Sequence, residues 1–388
     1  GLDSFQGEWY HTGSWPHEKV EFAGKRVAVI GTGSSGVQSI PVIAGQAEHL
    51  TVFQRTPQYT IPARHGTIDR KYLEEVVKPN YEEILEQARW STGGFPINRD
   101  ERSALQVTAE ERLEAYEAGW AEGGIRFLST SFKDISTDRR ANDTMAEFIR
   151  KKIREMVRDP ETAEKLMPTD HPFGSKRPLI DTDYFETYNH DNVELVDIRH
   201  SPIKEITPNG IRTEDQDFEF DMIVFATGFD AMTGSYFKMD IRGKNDLSLK
   251  DKWSEGPKTY LGLQVAGFPN LFMITGPGSP SVLSNMPVSI EQHIDWIANF
   301  LQYIRKHNIK SVEAGVDAET AWVAHVNEVA EPTMYMLANS WYLGANIPGK
   351  PRVFMPYVGG LGNYRKKCNE VADTGYKGFI LEAGSSGT

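Results

Sequence analysis

Residues 26–36 read RVAVIGTGSSG. The run RVAVI is typical of a buried strand, and it leads directly into a glycine-rich turn. Apolar spacing predicts a helix over residues 37–47 in spite of Pro41, and a second strand at 50–53. Strand, turn, helix and strand within about thirty residues make a parallel βαβ unit. The stretch therefore predicts an α/β fold of the Rossmann type.

The spacing of the three glycines in this turn has a physical reason. The first permits a tight bend, the second lets a pyrophosphate approach the backbone, and the third lets the helix pack closely on the strand. The helix N-terminus would then face the phosphates. This context predicts dinucleotide binding, and a glycine-rich turn without a ligand is the alternative. The residues concerned are Gly31, Thr32, Gly33, Ser34, Ser35 and Gly36.

The end of the second strand discriminates between NAD and NADP. An NAD site places Asp or Glu about 20 residues on, where the carboxylate binds the ribose 2′-hydroxyl. Here the sequence reads Gln54, Arg55, Thr56. A carboxylate would repel a 2′-phosphate, whereas an arginine fork can pair with it. Arg55 therefore predicts NADP(H), with an ordinary surface arginine as the alternative.

Two further segments are candidates for binding or catalysis. Thr227 and Gly228 follow the apolar run 222–226, and this pattern also fits an ordinary strand-to-loop corner. Lys176 and Arg177 are adjacent, so on extended backbone they point in opposite directions, one toward a phosphate and one toward a reacting centre. Two solvated surface residues are the alternative.

Composition divides the chain into segments. Residues 64–172 are rich in Glu, Arg, Lys and Ala, and Phe148, Ile149 and Ile153 line one face of a predicted helix. Later segments predict a strand at 271–275 and a helix over 289–306. The predicted organisation is a dinucleotide-binding domain at 1–63 and 173–226, a helical insertion at 64–172, a second domain at 227–382 and a loose tail at 383–388.

Bulk properties exclude several classes of function. A net charge of −12 argues against a nucleic-acid surface, and no apolar run approaches the length needed to cross a membrane. The single cysteine, Cys368, fits a reducing cytoplasm. The histidines lack metal-ligand spacing, which predicts no metal. Asn142, Asp143 and Thr144 match a glycosylation pattern, but such tripeptides are common by chance.

The first sixteen residues carry a family fingerprint. Five of them stand at the spacing F-x-G-x-x-x-H-x-x-x-W-P, which resembles the fingerprint of Baeyer-Villiger monooxygenases. We expect this segment to be a linker whose histidine and aromatic residues pack between domains, and a hinge histidine need not touch substrate. The similarity extends over 225–230, 278–286 and 340–349. The fingerprint residues are Phe5, Gly7, His11, Trp15 and Pro16.

The resemblance implies a flavoprotein with two dinucleotide-binding domains. Members of this type I family use FAD, NADPH and O2 to insert one oxygen atom beside a ketone carbonyl, giving an ester or lactone. At matching positions, the glycine-rich turn would bind the NADPH pyrophosphate, and Thr227 and Gly228 would also contact cofactor. Arg177 would be the active-site arginine, and Trp341 would lie on a mobile loop over NADP. Arg55, Thr56 and Lys176 would hold the 2′-phosphate, and Leu283, Ser284, Asn285 and Met286 would line the ketone pocket.

Two details refine this resemblance. The loop 279–286 resembles that of the phenylacetone and steroid type, which implies aromatic or bulky cyclic ketones. No second glycine-rich unit precedes Gly1, so we expect a family member without its N-terminal FAD-binding segment. That segment would be a partner and would carry the aspartate that pairs with Arg177. The alternatives are an N-hydroxylating flavin monooxygenase and an NADP-binding fragment that is inactive alone.

Overall fold

The computed structural model describes residues 1–97, 100–129 and 132–384. The chain folds as two compact units. The first comprises Gly1–Gly66 and Asp100–Phe229, and the second comprises Thr67–Arg99 and Asp230–Thr388. The stretch that begins at Thr67 therefore belongs to the second unit, whereas composition groups it with the helical insertion of the first.

Strands and helices alternate along much of the chain. The strands are β1 (Glu8–His11), β2 (Arg26–Ile30), β3 (His49–Gln54), β4 (Thr60–Pro62), β5 (Leu179–Asp181), β6 (Val193–Asp197), β7 (Ile203–Thr207), β8 (Gly210–Thr213), β9 (Asp217–Glu219), β10 (Met222–Phe225), β11 (Ile309–Ala314) and β12 (Phe379–Ala383). The α-helices are α1 (Ser34–Ala44), α2 (Arg70–Tyr72), α3 (Tyr81–Trp90), α4 (Ala109–Glu122), α5 (Gly124–Ser129), α6 (Arg139–Met156), α7 (Pro160–Leu166), α8 (Tyr184–Thr187), α9 (Gly234–Phe237), α10 (Leu249–Lys252), α11 (Met286–Lys306), α12 (Val316–Ala330) and α13 (Leu361–Asp373).

A parallel sheet forms the centre of the first unit. Its strand order is β1-β10-β2-β3-β6, and all neighbouring pairs are parallel. Val27, Ala28 and Val29 of β2 have no exposed surface. A parallel sheet is covered on both faces, so its strands are continuous apolar runs that sequence can identify. The strands predicted from such runs at 26–30 and 50–53 are confirmed.

The helix after the glycine-rich turn begins earlier than predicted. α1 starts at Ser34, because Gly33 adopts an extended conformation (φ −78°, ψ −172°) and serves as the N-cap. Pro41 therefore lies in the helix interior, close to the last turn. The helix ends at Ala44, so the predicted end at residue 47 was three residues too late.

The fingerprint segment contains an edge strand, which corrects the prediction that it is a linker. β1 pairs with β10 in parallel, with His11 opposite Phe225. Trp15 lies beyond the strand, with its ring 5.4 Å from that of Tyr10. The four residues of β1 carry no apolar alternation that would signal a strand. The unpaired edge of β10 provides the hydrogen bonds that order it.

Helix α6 of the insertion packs its apolar face into the core of the first unit. Phe148, Ile149 and Ile153 on α6 are buried, as predicted from their spacing. The same face buries Asn142, the first residue of the glycosylation pattern. In the folded chain this amide is therefore inaccessible to a sugar.

The second unit packs α11 and α13 with the antiparallel pair β11 and β12. Phe300 of α11 stacks on Tyr376, with ring centroids 3.8 Å apart. The predicted helix over 289–306 is confirmed, with its start three residues earlier at Met286.

Two predictions for the second unit need correction. Residues 271–275 do not form a strand, because the Met273 N–H bonds to the Leu263 carbonyl and the Thr275 N–H bonds to His293 Nδ1. An apolar run becomes a strand only where a neighbouring strand supplies partners. The predicted tail at 383–388 begins too early, since Ala383 ends β12. Its residues 385–388 lie outside the described residues.

None of the described helices combines the length and the apolar character that crossing a lipid bilayer requires.

Asp181, at the end of β5, provides a test of the core. Its side chain is buried, and burial raises the pKa of its carboxyl from 3.8 to about 6. The folded chain therefore disfavours the charged form of Asp181. The resulting loss in the free energy of unfolding grows as the pH rises from 3.8 and levels off above about 6. A shift of about two units corresponds to at most roughly 3 kcal/mol.

We therefore expect D181N to raise the melting temperature, and to raise it more at pH 8 than at pH 5. Thermal unfolding followed by circular dichroism at both pH values measures this. The matched control is D215N at an exposed aspartate, which should leave the melting temperature unchanged. If D181N had a lower melting temperature than the wild type at pH 8, the charged Asp181 carboxylate would not destabilise the folded chain.

Candidate nucleotide-binding and catalytic site

Close backbone contacts shape the turn after β2. Gly31 has a φ of +107°, and a Cβ there would lie 2.5 Å from the carbonyl oxygen of Ala226. A Cβ on Gly36 would lie 2.1 Å from the carbonyl oxygen of Gly31. In contrast, a Cβ on Gly33 would meet no atom within 4 Å. Two glycines thus permit tight packing, and the third borders space that a phosphate could occupy.

The helix N-terminus next to this space lacks a side-chain cap. Gly33 is the N-cap of α1 and offers no side-chain oxygen to the first backbone N–H groups. Ser34 is exposed and Ser35 is half-buried. Thr32 points the other way: it is buried, and its hydroxyl donates to the Thr56 carbonyl at 3.1 Å. This bond ties the turn to the segment that follows β3.

His11 links the fingerprint to the loop after β10. Its Nδ1 accepts the Gly13 N–H at 3.0 Å, and its Nε2 lies 3.4 Å from the Thr227 hydroxyl. Its ring meets the Phe229 ring edge-on at 5.8 Å. Gly228 has a φ of +94° and no atom within 4 Å of a Cβ position. Both predicted cofactor residues of this loop are exposed.

The structure brings Arg55 and Lys176 together. Burial lowers the pKa of Lys176, the carboxylate of Asp170 opposes that shift, and the positive charge of Arg55 adds to it. Arg177 follows Lys176 and is exposed, like Arg55. Within the described ranges, none of these three cations forms a hydrogen bond or an ion pair.

Nearby carboxylates are engaged by other groups. Asp170 bonds to His171 Nδ1 at 2.6 Å, and this contact holds the pKa of Asp170 below its usual value. Asp197, at the end of β6, pairs with Arg199 through contacts of 3.0 Å. Sequence reasoning missed Asp170, because its proximity to Lys176 depends on a loop conformation that has no periodic signal.

The segment carrying Trp341 belongs to the second unit and is anchored there. Trp341 is half-buried and begins a short 3-10 turn, with its ring 4.3 Å from that of Tyr342. Lys350 lies beyond this turn, and its ammonium contacts the Asp230 carboxylate at 2.5 Å and the Ala231 carbonyl at 3.0 Å. Sequence alone gave no sign of this pair, whose members are 120 positions apart.

The predicted ketone-pocket residues join a 3-10 turn to α11. The Ser284 hydroxyl lies 2.6 Å from the Ser289 hydroxyl and donates to the Ser281 carbonyl at 2.9 Å, so it stabilises its own turn. The Asn285 N–H bonds to the Gly93 carbonyl at 2.8 Å. Leu283 and Met286 are half-buried and keep partly exposed apolar surface.

Among residues 1–97, 100–129 and 132–384, no three His, Cys, Asp or Glu side chains group as a metal site would require.

The sheet and its glycine-rich turn define a Rossmann-type unit, and comparisons with known proteins extend this to a family. The chain is 44% identical over 384 residues to the cyclohexanone 1,2-monooxygenase of Acinetobacter sp, covering 98% of this chain and 70% of that protein. It is 45% identical over 384 residues to a Baeyer-Villiger monooxygenase of Pseudooceanicola batsensis, covering 98% and 69%. It is 44% identical over 388 residues to a phenazine N-monooxygenase of Lysobacter antibioticus, covering 100% and 71%.

Solved structures agree with these relatives. An oxidised steroid monooxygenase bound to NADP superposes with a TM-score of 0.93 at 49% identity, covering 99% of this chain and 72% of that one. The OTEMO complex with FAD and NADP superposes with a TM-score of 0.94 at 41% identity, covering 98% and 72%. The chain matches no family model. The chain belongs to the Baeyer-Villiger monooxygenase family, and the predicted class and α/β fold are confirmed.

The proximity of Arg55 to Lys176 predicts how mutation changes the selectivity for NADP+ over NAD+. In R55A, we expect the Kd for NADP+ to rise about 10- to 100-fold, because a charge-assisted hydrogen bond contributes about 1.5–3 kcal/mol. The Kd for NAD+ should stay the same, since NAD+ has no 2′-phosphate. Isothermal titration calorimetry measures both values.

The matched control is R212A, which removes an equal charge from an arginine already paired with Asp217 and Glu205. Its two dissociation constants should equal those of the wild type. If R55A weakened NADP+ and NAD+ equally, Arg55 would not recognise the 2′-phosphate.

Proposed function

We propose that this protein catalyses NADPH-dependent Baeyer-Villiger oxidation, inserting one oxygen atom of O2 beside a ketone carbonyl to give an ester or lactone, with FAD as the second cofactor. Family membership supports the reaction class. The observation that carries the cofactor assignment is the proximity of Arg55 and Lys176 in the unit that holds the glycine-rich turn. Neither side chain forms an ion pair with any residue that the structure describes.

The residues of the first unit fit NADP(H). The turn would hold the pyrophosphate at Gly33, where the backbone borders unfilled space, and the uncapped start of α1 would donate N–H groups. Arg55 and Lys176 would bind the 2′-phosphate, with Thr56 beside them. The two cations repel each other, and the Asp170 carboxylate that acts on Lys176 is bound to His171 Nδ1. A phosphate dianion would relieve that repulsion.

FAD and NADPH, when bound, supply the oxygen-activating and hydride-donating chemistry. The chain contributes charge and shelter. We assign Arg177 the role of a fixed cation that stabilises negative charge developing on oxygen, because a guanidinium stays protonated throughout the reaction. Trp341, on the segment anchored by Lys350, is assigned a part in excluding water from bound cofactor, as the family resemblance implies.

The substrate class follows from the loop before α11. Leu283 and Met286 are apolar and half-buried, whereas Ser284 is engaged in its own turn. We therefore assign ketone contact to the two apolar side chains and to Asn285. The similarity to a steroid monooxygenase supports bulky cyclic or aromatic ketones as substrates.

Cys368 is a free buried thiol, and we propose a cytoplasmic location on that basis.

N-oxidation is the second candidate function. The phenazine N-monooxygenase of Lysobacter antibioticus covers the whole chain at 44% identity. Both reactions transfer one oxygen atom of O2 to the substrate. In the first, the activated oxygen attacks a carbonyl carbon, whereas in the second a nitrogen lone pair attacks the activated oxygen.

Incubation of the FAD-loaded protein with NADPH, O2 and each substrate type tests the two candidates. We expect ester or lactone from phenylacetone or a steroid ketone, and no N-oxide from phenazine. N-oxide formation without ester would favour the second candidate. NADP+ binding without any flavin absorbance or product would indicate an NADP-binding fragment.

Arg177 gives a prediction specific to the chemical step. In R177A, we expect ester formation to fall by about 10²-fold or more, because it loses the cation that stabilises the oxyanion. NADP+ should bind as in the wild type, and NADPH should still reduce the flavin. Product yield and flavin absorbance measure these effects. R212A is the charge-matched control. If R177A formed ester at the wild-type rate, Arg177 would not be the cation that stabilises the oxyanion.

A further inference from the structure

We propose that Asn142, on α6 of the helical insertion, is a positioning residue for the loop that carries Lys176 and Arg177. Through this loop it sets the preference for a 2′-phosphate. The inference rests on the proposed function, since it concerns the same cofactor site. It gives the helical insertion a part in cofactor recognition.

Three hydrogen bonds join the Asn142 side chain to the backbone of Ile135 and Phe173, and we call this arrangement a clamp. The side chain has no exposed surface. Its amide nitrogen donates to the carbonyls of Ile135 and Phe173, each at 2.8 Å. Its amide oxygen accepts the Phe173 N–H at 2.9 Å. Phe173 thus has both backbone polar groups bound by one side chain, as a neighbouring strand would bind them.

The loop is fixed at both ends around the two cations. At its start, the Phe173 ring packs edge-on against Tyr59 at 5.5 Å. The next turn is closed by the buried Ser175 hydroxyl, which donates to the Pro172 carbonyl at 2.6 Å. At its end, the Leu179 N–H bonds to the Tyr59 carbonyl at 2.9 Å. Lys176 and Arg177 lie between these anchors.

The position of Lys176 depends on this backbone. Within the described part of the chain its ammonium has no hydrogen bond or ion pair that could hold it. A buried amide is costly unless its hydrogen bonds are made, and a leucine would fill a similar volume without that cost. The polar side chain at position 142 therefore orients the loop as well as filling space.

The test compares two adenosine ligands that differ by one phosphate. Adenosine 2′,5′-bisphosphate carries the 2′-phosphate, and adenosine 5′-monophosphate lacks it. The readout is the Kd for adenosine 5′-monophosphate divided by the Kd for adenosine 2′,5′-bisphosphate. Isothermal titration calorimetry measures both constants and needs no turnover. In N142L we expect this ratio to fall about 10-fold toward the value of K176A, because Lys176 is misplaced.

A matched control separates positioning from general stability. N189A removes a similar clamp near the other end of α6, where Asn189 donates to the Met156 carbonyl at 2.8 Å and accepts the Arg158 N–H at 2.7 Å. N189A should keep the wild-type ratio. Where N142L fails to fold, S175A is the second variant, and its ratio should fall in the same direction because the loop turn is loosened.

Each outcome decides the question. An unchanged ratio in folded N142L, or in S175A where N142L does not fold, overturns the proposal. An equal fall in N189A also overturns it, since the effect would then be one of stability. If K176A itself keeps the wild-type ratio, the 2′-phosphate assignment fails and the positioning role fails with it.

Discussion

The close backbone approach at Gly31 is the constraint on which the nucleotide site depends. Here the end of β2, the start of α1 and the residue after β10 come within contact distance, so a side chain at Gly31 or Gly36 would collide with a carbonyl oxygen. This contact brings the helix N-terminus to the sheet edge where Arg55 and Thr227 emerge. The glycine-rich turn and the ends of β2 and β10 are therefore held together by one packing requirement.

The parts of the fold that sequence predicts are those in which residues respond to burial. Strands of the central sheet are covered on both faces, so β2, β3 and β10 appear as apolar runs. α6 and α11 carry helical spacing. β1 and residues 271–275 show the limit. The first is a strand only because β10 has a free edge, and the second is apolar without a partner strand among the described residues.

The candidate site was predictable to the extent that its residues stand at strand ends or in a glycine-rich turn. Arg55 and Gly33 are predicted in this way, Lys176 and Arg177 are predicted as an adjacent basic pair, and the family resemblance adds a role for each. The contacts that hold these residues could not be predicted, because they join distant parts of the chain. Examples are Asn142 with Phe173, and Lys350 with Asp230. Such pairs depend on loop conformation, which has no periodicity in sequence.

The burial of Asn142 has a consequence for how the protein can be made. In a eukaryotic secretory pathway, sugar is attached to Asn-x-Thr tripeptides on a chain that has yet to fold, when this amide is still accessible. A glycan on Nδ2 would occupy the nitrogen that must later bind two carbonyls in the core. A secreted yeast or insect-cell product would therefore contain misfolded chains, whereas expression in a bacterial host avoids the conflict.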